Sequence, residues 1–148
     1  MTVKAILSRK GNDVVTIEPT ATLGDAIKIL DEHRIGVVVI TSADQQTLGI
    51  LSERDIVHTL ARNAQVAGGC QFCQEPVGQV MTRQVETCKE SDTVYEIMER
   101  MTTGKFRHLP VIEHGRLVGI VSIGDVVKHR LAEMAFESNA LREYVMTA

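Results

Sequence analysis

The chain has 148 residues, 44% of them hydrophobic but only 3% aromatic, and a formal net charge of −3. That is material for one domain or two half-domains sharing a core, packed from Ile, Val, Leu and Met rather than from rings. The mild acidity argues against nucleic acid or anionic membranes as partners. No apolar run nears the roughly 18 residues of a membrane span, no signal-peptide pattern opens the chain, and three cysteines make no disulfide framework; a cytoplasmic protein is expected.

After a leading segment (1–13), Val14 to Ile17 reads as a strand ended by Glu18-Pro19. Thr22 is a good N-cap, with Asp25 three residues on in a capping-box arrangement. Leu23, Ala26, Ile27 and Leu30 then share one helix face. Gly36 to Ile40 suits a buried strand. Ser42 to Gln46 supplies a polar turn, Leu48 to Leu51 a second strand, and Ser52 caps a helix running to about Asn63. A linker (65–79) follows.

The pattern then recurs. Thr93 and Glu96 form a capping box, and Val94, Ile97, Met98 and Met101 give an apolar face. Leu109 to Ile112 is a strand, Glu113 to Arg116 a turn containing Gly115, Leu117 to Val121 the return strand, and Ser122 opens the last helix. Val14-Val15-Thr16-Ile17 answers Val85-Glu86-Thr87-Cys88, and Gly49-Ile50-Leu51-Ser52-Glu53-Arg54-Asp55 answers Gly119-Ile120-Val121-Ser122-Ile123-Gly124-Asp125. One β-α-β-β-α unit is used twice, over 14–64 and 80–130, in an α/β (α+β) chain. In the tail (131–148) and just before it, Val127, Leu131, Met134, Leu141 and Val145 stand at heptad-like spacings if Ser138 is counted. They suit either a dimer seam or a helix folded back on its own domain.

Tandem β-α-β-β-α units, each closed by Gly-h-h-Ser-x-x-Asp (h, apolar), together with Lys105-Phe106-Arg107-His108-Leu109-Pro110-Val111, resemble the cystathionine-β-synthase (CBS) domain family over about Val14 to Val127. The resemblance implies one disc-like module with pseudo-twofold symmetry and two clefts between the repeats, commonly used for adenine nucleotides. It further implies that each cleft takes its Asp from one repeat and its first-strand Thr, with the segment before the second strand, from the other. Asp55 would then meet Thr87, Lys105, Phe106, Arg107 and His108, and Asp125 would meet Thr16, Ile35, Gly36 and Val37. Homodimers are also implied.

The residues themselves point the same way. A carboxylate accepts two hydrogen bonds at once and so suits a ribose diol. Asp55 and Asp125 fall in the first turn of a helix, near free N–H groups and the positive end of the dipole. Ser52 and Ser122 offer hydroxyls beside them, and helix N-termini favour anions. On the grouping that the resemblance implies, Arg54, Lys105, Arg107 and His108 would make the Asp55 cleft the better mononucleotide site. Ile17, Ile35 and Val37 are expected to wall one adenine pocket, and Cys88, Phe106 and Leu109 the other. The bland alternative is that Ser52–Asp55 and Ser122–Asp125 are plain helix caps, each contributing about 1 kcal/mol; the two roles are compatible.

The expected function is a non-catalytic sensor of adenine nucleotides, AMP first, with ADP, ATP or NAD(H) as alternatives, acting on an effector protein not named by the sequence. No catalytic cofactor or metal is expected, and no nucleophile–base pair, Walker loop or G-x-G-x-x-G appears. Two rivals are a redox or zinc protein centred on Cys70 and Cys73, and a purely structural dimerisation module. A zinc site would lack ligands beyond Cys88 and His58.

Overall fold

A computed structural model describes residues 1–63 and 71–147. Its elements, in chain order, are α1 (Val3–Lys10), β1 (Thr16–Ile17), α2 (Leu23–His33), β2 (Val37–Thr41), β3 (Thr47–Ser52) and α3 (Glu53–Asn63). A 3-10 turn (Gln71–Gln74) leads to α4 (Val77–Val80), α5 (Val94–Gly104), β4 (His108–Glu113), β5 (Arg116–Ser122) and α6 (Ile123–Thr147). The expected α/β plan of two β-α-β-β-α repeats is present, with the first strand of repeat 2 reduced to a single bridge.

Both capping boxes form. Thr22 Oγ1 accepts from the Asp25 N–H at 3.2 Å while the Asp25 carboxylate accepts from the Thr22 N–H at 3.1 Å. Thr93 and Glu96 repeat this at 3.1 Å in each direction. These bonds satisfy helix-end donors that have no partner within the helix. At the other end, α2 and α5 both stop on a left-handed residue that is not glycine, Arg34 (φ 52) and Lys105 (φ 57). The chain turns there directly into β2 and β4.

β1 pairs in parallel with β2 (Thr16↔Val39, Ile17↔Ile40), and β2 pairs antiparallel with β3 (Val37↔Ser52 through Ile40↔Gly49). In repeat 2 the strand expected over Val85 to Cys88 does not form. A single parallel bridge, Cys88↔Val111, remains, with Cys88 N–H donating to the Pro110 carbonyl at 3.0 Å and Ile112 N–H to the Cys88 carbonyl at 2.9 Å. The next bond of such a ladder needs an N–H at position 110, and proline has none. In repeat 1 the equivalent residue is Val39, which does donate, to the Val15 carbonyl at 3.2 Å.

The chain divides into two compact units: Met1–Asp13, Thr87–Glu113 and Val118–Ala148 in one, Val14–Glu86 with His114–Leu117 in the other. Each unit therefore holds one repeat's body and the leader of the other repeat. In the first, Val3, Ile6 and Leu7 of α1 are buried with Val94, Ile97, Met101, Leu109 and Val121. In the second, Val77 and Met81 are buried with Leu23, Val38, Ile40 and Leu51. The leading segment, which carried no predicted element, is thus a core helix. The tail continues α6 without a break, and Leu131, Met134, Leu141 and Val145 are exposed along it, so it does not fold back on its own domain.

The two leaders pack on equivalent strand glycines. A Cβ added at Gly49 would lie 2.5 Å from Met81 Sδ and 2.8 Å from the Thr82 backbone oxygen. At Gly119 it would meet only the Leu7 methyls, at 2.7 and 2.9 Å. Side-chain ends can turn away; a backbone carbonyl paired in a bridge cannot. Gly49→Ala is expected to cost about 1–3 kcal/mol of unfolding free energy and Gly119→Ala distinctly less. Urea unfolding of the two variants checks the order, and equal losses would contradict it.

Candidate functional site

β3 ends at Ser52 and α3 begins at Glu53, so the strand delivers Ser52 to the helix cap and Asp55 to the first helical turn. Asp55 Oδ2 accepts from the Ser52 N–H at 2.9 Å and from the Ser52 hydroxyl at 3.1 Å; that hydroxyl accepts in turn from the Asp55 N–H at 3.2 Å. The second oxygen, Oδ1, accepts among the described residues one long bond, from the Thr82 hydroxyl at 3.3 Å. Thr82 is held there by its main chain. Its N–H donates to the Ile50 carbonyl at 2.9 Å and its carbonyl accepts from Ile50 N–H at 3.0 Å. Beside the turn lie Ile35, Gly36 and Val37. The Gly36 carbonyl accepts from Glu53 N–H at 2.9 Å, and Val37 stands opposite Ser52.

Repeat 2 builds the same turn. Asp125 Oδ2 accepts from Ser122 N–H at 2.9 Å, Ser122 Oγ accepts from Asp125 N–H at 3.2 Å, and the Arg107 carbonyl accepts from Ile123 N–H at 2.8 Å. Here the resemblance between repeats stops. The Lys10 ammonium, from the end of α1, donates to Asp125 Oδ2 at 2.6 Å and to the Ile120 carbonyl at 2.9 Å. Burial pushes the Asp125 carboxyl up. The Lys10 ammonium and the Ser122 N–H and hydroxyl more than offset this, so its pKa lies below the ordinary carboxylate value.

The capping reading is therefore true of both turns, and it leaves each carboxylate fixed in direction. Of the residues expected at the site, Ser52, Asp55, Ile35, Gly36 and Val37 come together in one unit, and Ser122, Asp125 and Arg107 in the other. Arg54, Lys105 and Arg107 have exposed side chains. Phe106 packs half-buried against its unit's core, and His108, half-buried, opens β4. Thr16 and Thr87 are exposed; the Thr87 carbonyl accepts from Arg100 at 2.8 Å. Thr82 and Lys10 were not foreseen. Their signal was present in the leaders, where Val3, Ile6 and Leu7 answer Val77, Val80 and Met81, so that residues after these motifs fall beside the opposite repeat's turn.

Of the Cys-x-x-Cys pair, Cys70 lies outside the described residues and Cys73 is half-buried in the 3-10 turn. Cys88 is buried at its bridge to Val111. Burial, then the Asp92 carboxylate, push its thiol up to about 12, so it stays protonated and a poor ligand or nucleophile. Among the described residues no group of three or more His, Cys, Asp or Glu is placed to hold a metal ion, and no helix is long and apolar enough to cross a membrane.

The family model for the CBS domain matches residues 3–62 and 77–132. The chain belongs to the CBS-domain family. The two CBS matches begin at the leaders, so each copy includes the helix that packs on the other copy's unit. This CBS pair is similar to the crystal structure of a CBS-domain containing protein from Agrobacterium tumefaciens, at 48% identity and TM-score 0.81, over 88% of this chain and 99% of that one. It is also similar to a CBS domain protein from Pyrobaculum aerophilum complexed with AMP, at 26% identity and TM-score 0.72, over 84% of this chain and 89% of that one. A third likeness is to the CBS domain pair of protein MJ0100 in complex with 5′-methylthioadenosine and S-adenosyl-L-methionine. There the identity is 26% and the TM-score 0.76, over 90% of this chain and 98% of that one. The chain spans 66% and 60% of the length of two curated relatives that it matches at 34% identity.

Proposed function

We propose that this CBS pair is a non-catalytic, cytoplasmic regulatory module that binds an adenine nucleotide, AMP ahead of ADP, ATP or NAD(H), with the ribose diol on Asp55. One observation carries the reading: the Ser52–Asp55 turn presents a carboxylate locked by its own cap, with Oδ1 engaged, among the described residues, by one hydroxyl at 3.3 Å. A hydroxyl can rotate, accept as well as donate, and yield its place to a ribose O–H at small cost. The ligands named for the two liganded relatives support the choice of group. AMP, 5′-methylthioadenosine and S-adenosyl-L-methionine share adenine and a ribose diol, and differ in what hangs from C5′. A site common to such ligands must grip the adenosine. The 5′ group is then selected by neighbouring charge, and on the cross-repeat grouping implied by the family Lys105, Arg107 and His108 would take a phosphate. Ligand binding changes an effector only through differential affinity for two states of the module.

A second copy of the chain is proposed to pair along α6. Its exposed stripe of Leu131, Met134, Leu141 and Val145 fits a and d positions of a coiled coil, with Ser138 at a central a. In parallel pairing Glu137, at g, meets Arg142, at e of the other helix, in two symmetric ion pairs.

Titration calorimetry with AMP tests the ligand reading. Asp55→Asn keeps an acceptor for the cap but loses the charge, so AMP affinity should fall by about 10- to 100-fold while the melting temperature changes little. Unchanged affinity, or a loss of stability as large as the loss of binding, would contradict it. For the dimer, Leu141→Asp should turn the sedimenting species from dimer to monomer; a dimer that survives the change would rule out the α6 seam.

A further inference from the structure

The two turns meet different donors on different carboxylate oxygens, Thr82 on Asp55 Oδ1 and Lys10 on Asp125 Oδ2, and that difference assigns a role to Lys10. In the unit built on repeat 1, two acceptors at the turn are served by Thr82: its N–H reaches the Ile50 carbonyl and its hydroxyl reaches Asp55. In the unit built on repeat 2, the equivalent acceptors are the Ile120 carbonyl and Asp125, and one Lys10 ammonium serves both. We propose that Lys10 is the specificity-determining residue of this CBS pair: its ammonium ties up the Asp125 carboxylate that a ribose diol would need, so that each chain takes one adenosine ligand, at Asp55.

The proposal rests on the adenine-nucleotide reading above and deepens it. An ammonium is a donor with three protons and no lone pair, so it can neither accept from a ribose hydroxyl nor turn aside as a threonine hydroxyl does. Its 2.6 Å contact to Asp125 is charge-assisted, and two-thirds of the lysine side chain is withdrawn from water, which limits screening. The second bond, to the Ile120 carbonyl, fixes the ammonium in place. The stem is fixed as well, because α1 is anchored by Val3, Ile6 and Leu7 in the core of the same unit. A diol that takes both Asp125 oxygens must displace the ammonium from Oδ2, whereas at Asp55 it displaces one long hydroxyl bond from Oδ1. Lys10 thus plays the part of a built-in competitor.

Calorimetry on the full chain, with AMP as the titrant, reads this out as stoichiometry. Wild type is expected to bind one AMP per chain, and Lys10→Met two, the second lost again in Lys10→Met/Asp125→Asn. Asp125→Asn alone should leave the wild-type isotherm unchanged. Two equivalents in wild type, one in Lys10→Met, or weakened binding in Asp125→Asn would each overturn the role of Lys10 while leaving the nucleotide reading intact. Should Lys10→Met fail to fold, as judged by circular dichroism, the wild-type stoichiometry and the Asp125→Asn isotherm still decide. No AMP binding by wild type or variants would instead remove the nucleotide reading, and this inference with it.

Discussion

Everything at the site depends on one constraint: a helix that starts immediately after a buried strand must find partners for its first N–H groups. Here the partners are a serine at the cap and an aspartate three residues on, bonded to each other in both directions across Ser52–Asp55 and Ser122–Asp125. The bonds that stabilise the helix end also hold the carboxylate in one orientation. A preorganised acceptor results without any dedicated scaffold, from the same atoms that stabilise the helix end. This explains why the bland reading and the functional one do not compete.

Duplication supplies two such turns, and the leaders make them different. Each leader crosses to the unit of the other repeat, where its apolar residues fill the core and a polar residue that follows them bonds to the turn. At Asp55 that residue is a threonine, at Asp125 a lysine. Glycine at 49 and 119 is what lets the leaders approach, since any side chain there would collide with Met81 and Thr82 or with Leu7. On the proposed role of Lys10, a change in the leader would alter ligand binding without touching the turn.

Much of this was legible from residues alone. The capping boxes at Thr22 and Thr93, the strand-to-helix turns and the repeat itself follow from short-range chemistry that a linear pattern records well. What escaped was long-range. Pro110 removes one donor from a ladder whose partner strand lies more than twenty residues away, so the expected strand at Val85 to Cys88 reduces to a single bridge. The leader α1 carries only Val3, Ile6 and Leu7 as its apolar face, too few for a periodicity argument, and its burial depends on a unit assembled from distant segments. Lys10 and Thr82 were missed for the same reason: each acts on an aspartate that the chain reaches only through tertiary structure. The heptad spacing of the tail was visible, but only the unbroken course of α6 decided between an exposed seam and a helix folded back.

The most direct measurement is a crystal structure of the protein grown with AMP. The account predicts ribose electron density with both hydroxyls within hydrogen-bonding distance of the Asp55 carboxylate, and Lys10 still on Asp125. Adenosine lodged away from Asp55, or a nucleotide seated on Asp125 with Lys10 in place, would contradict it.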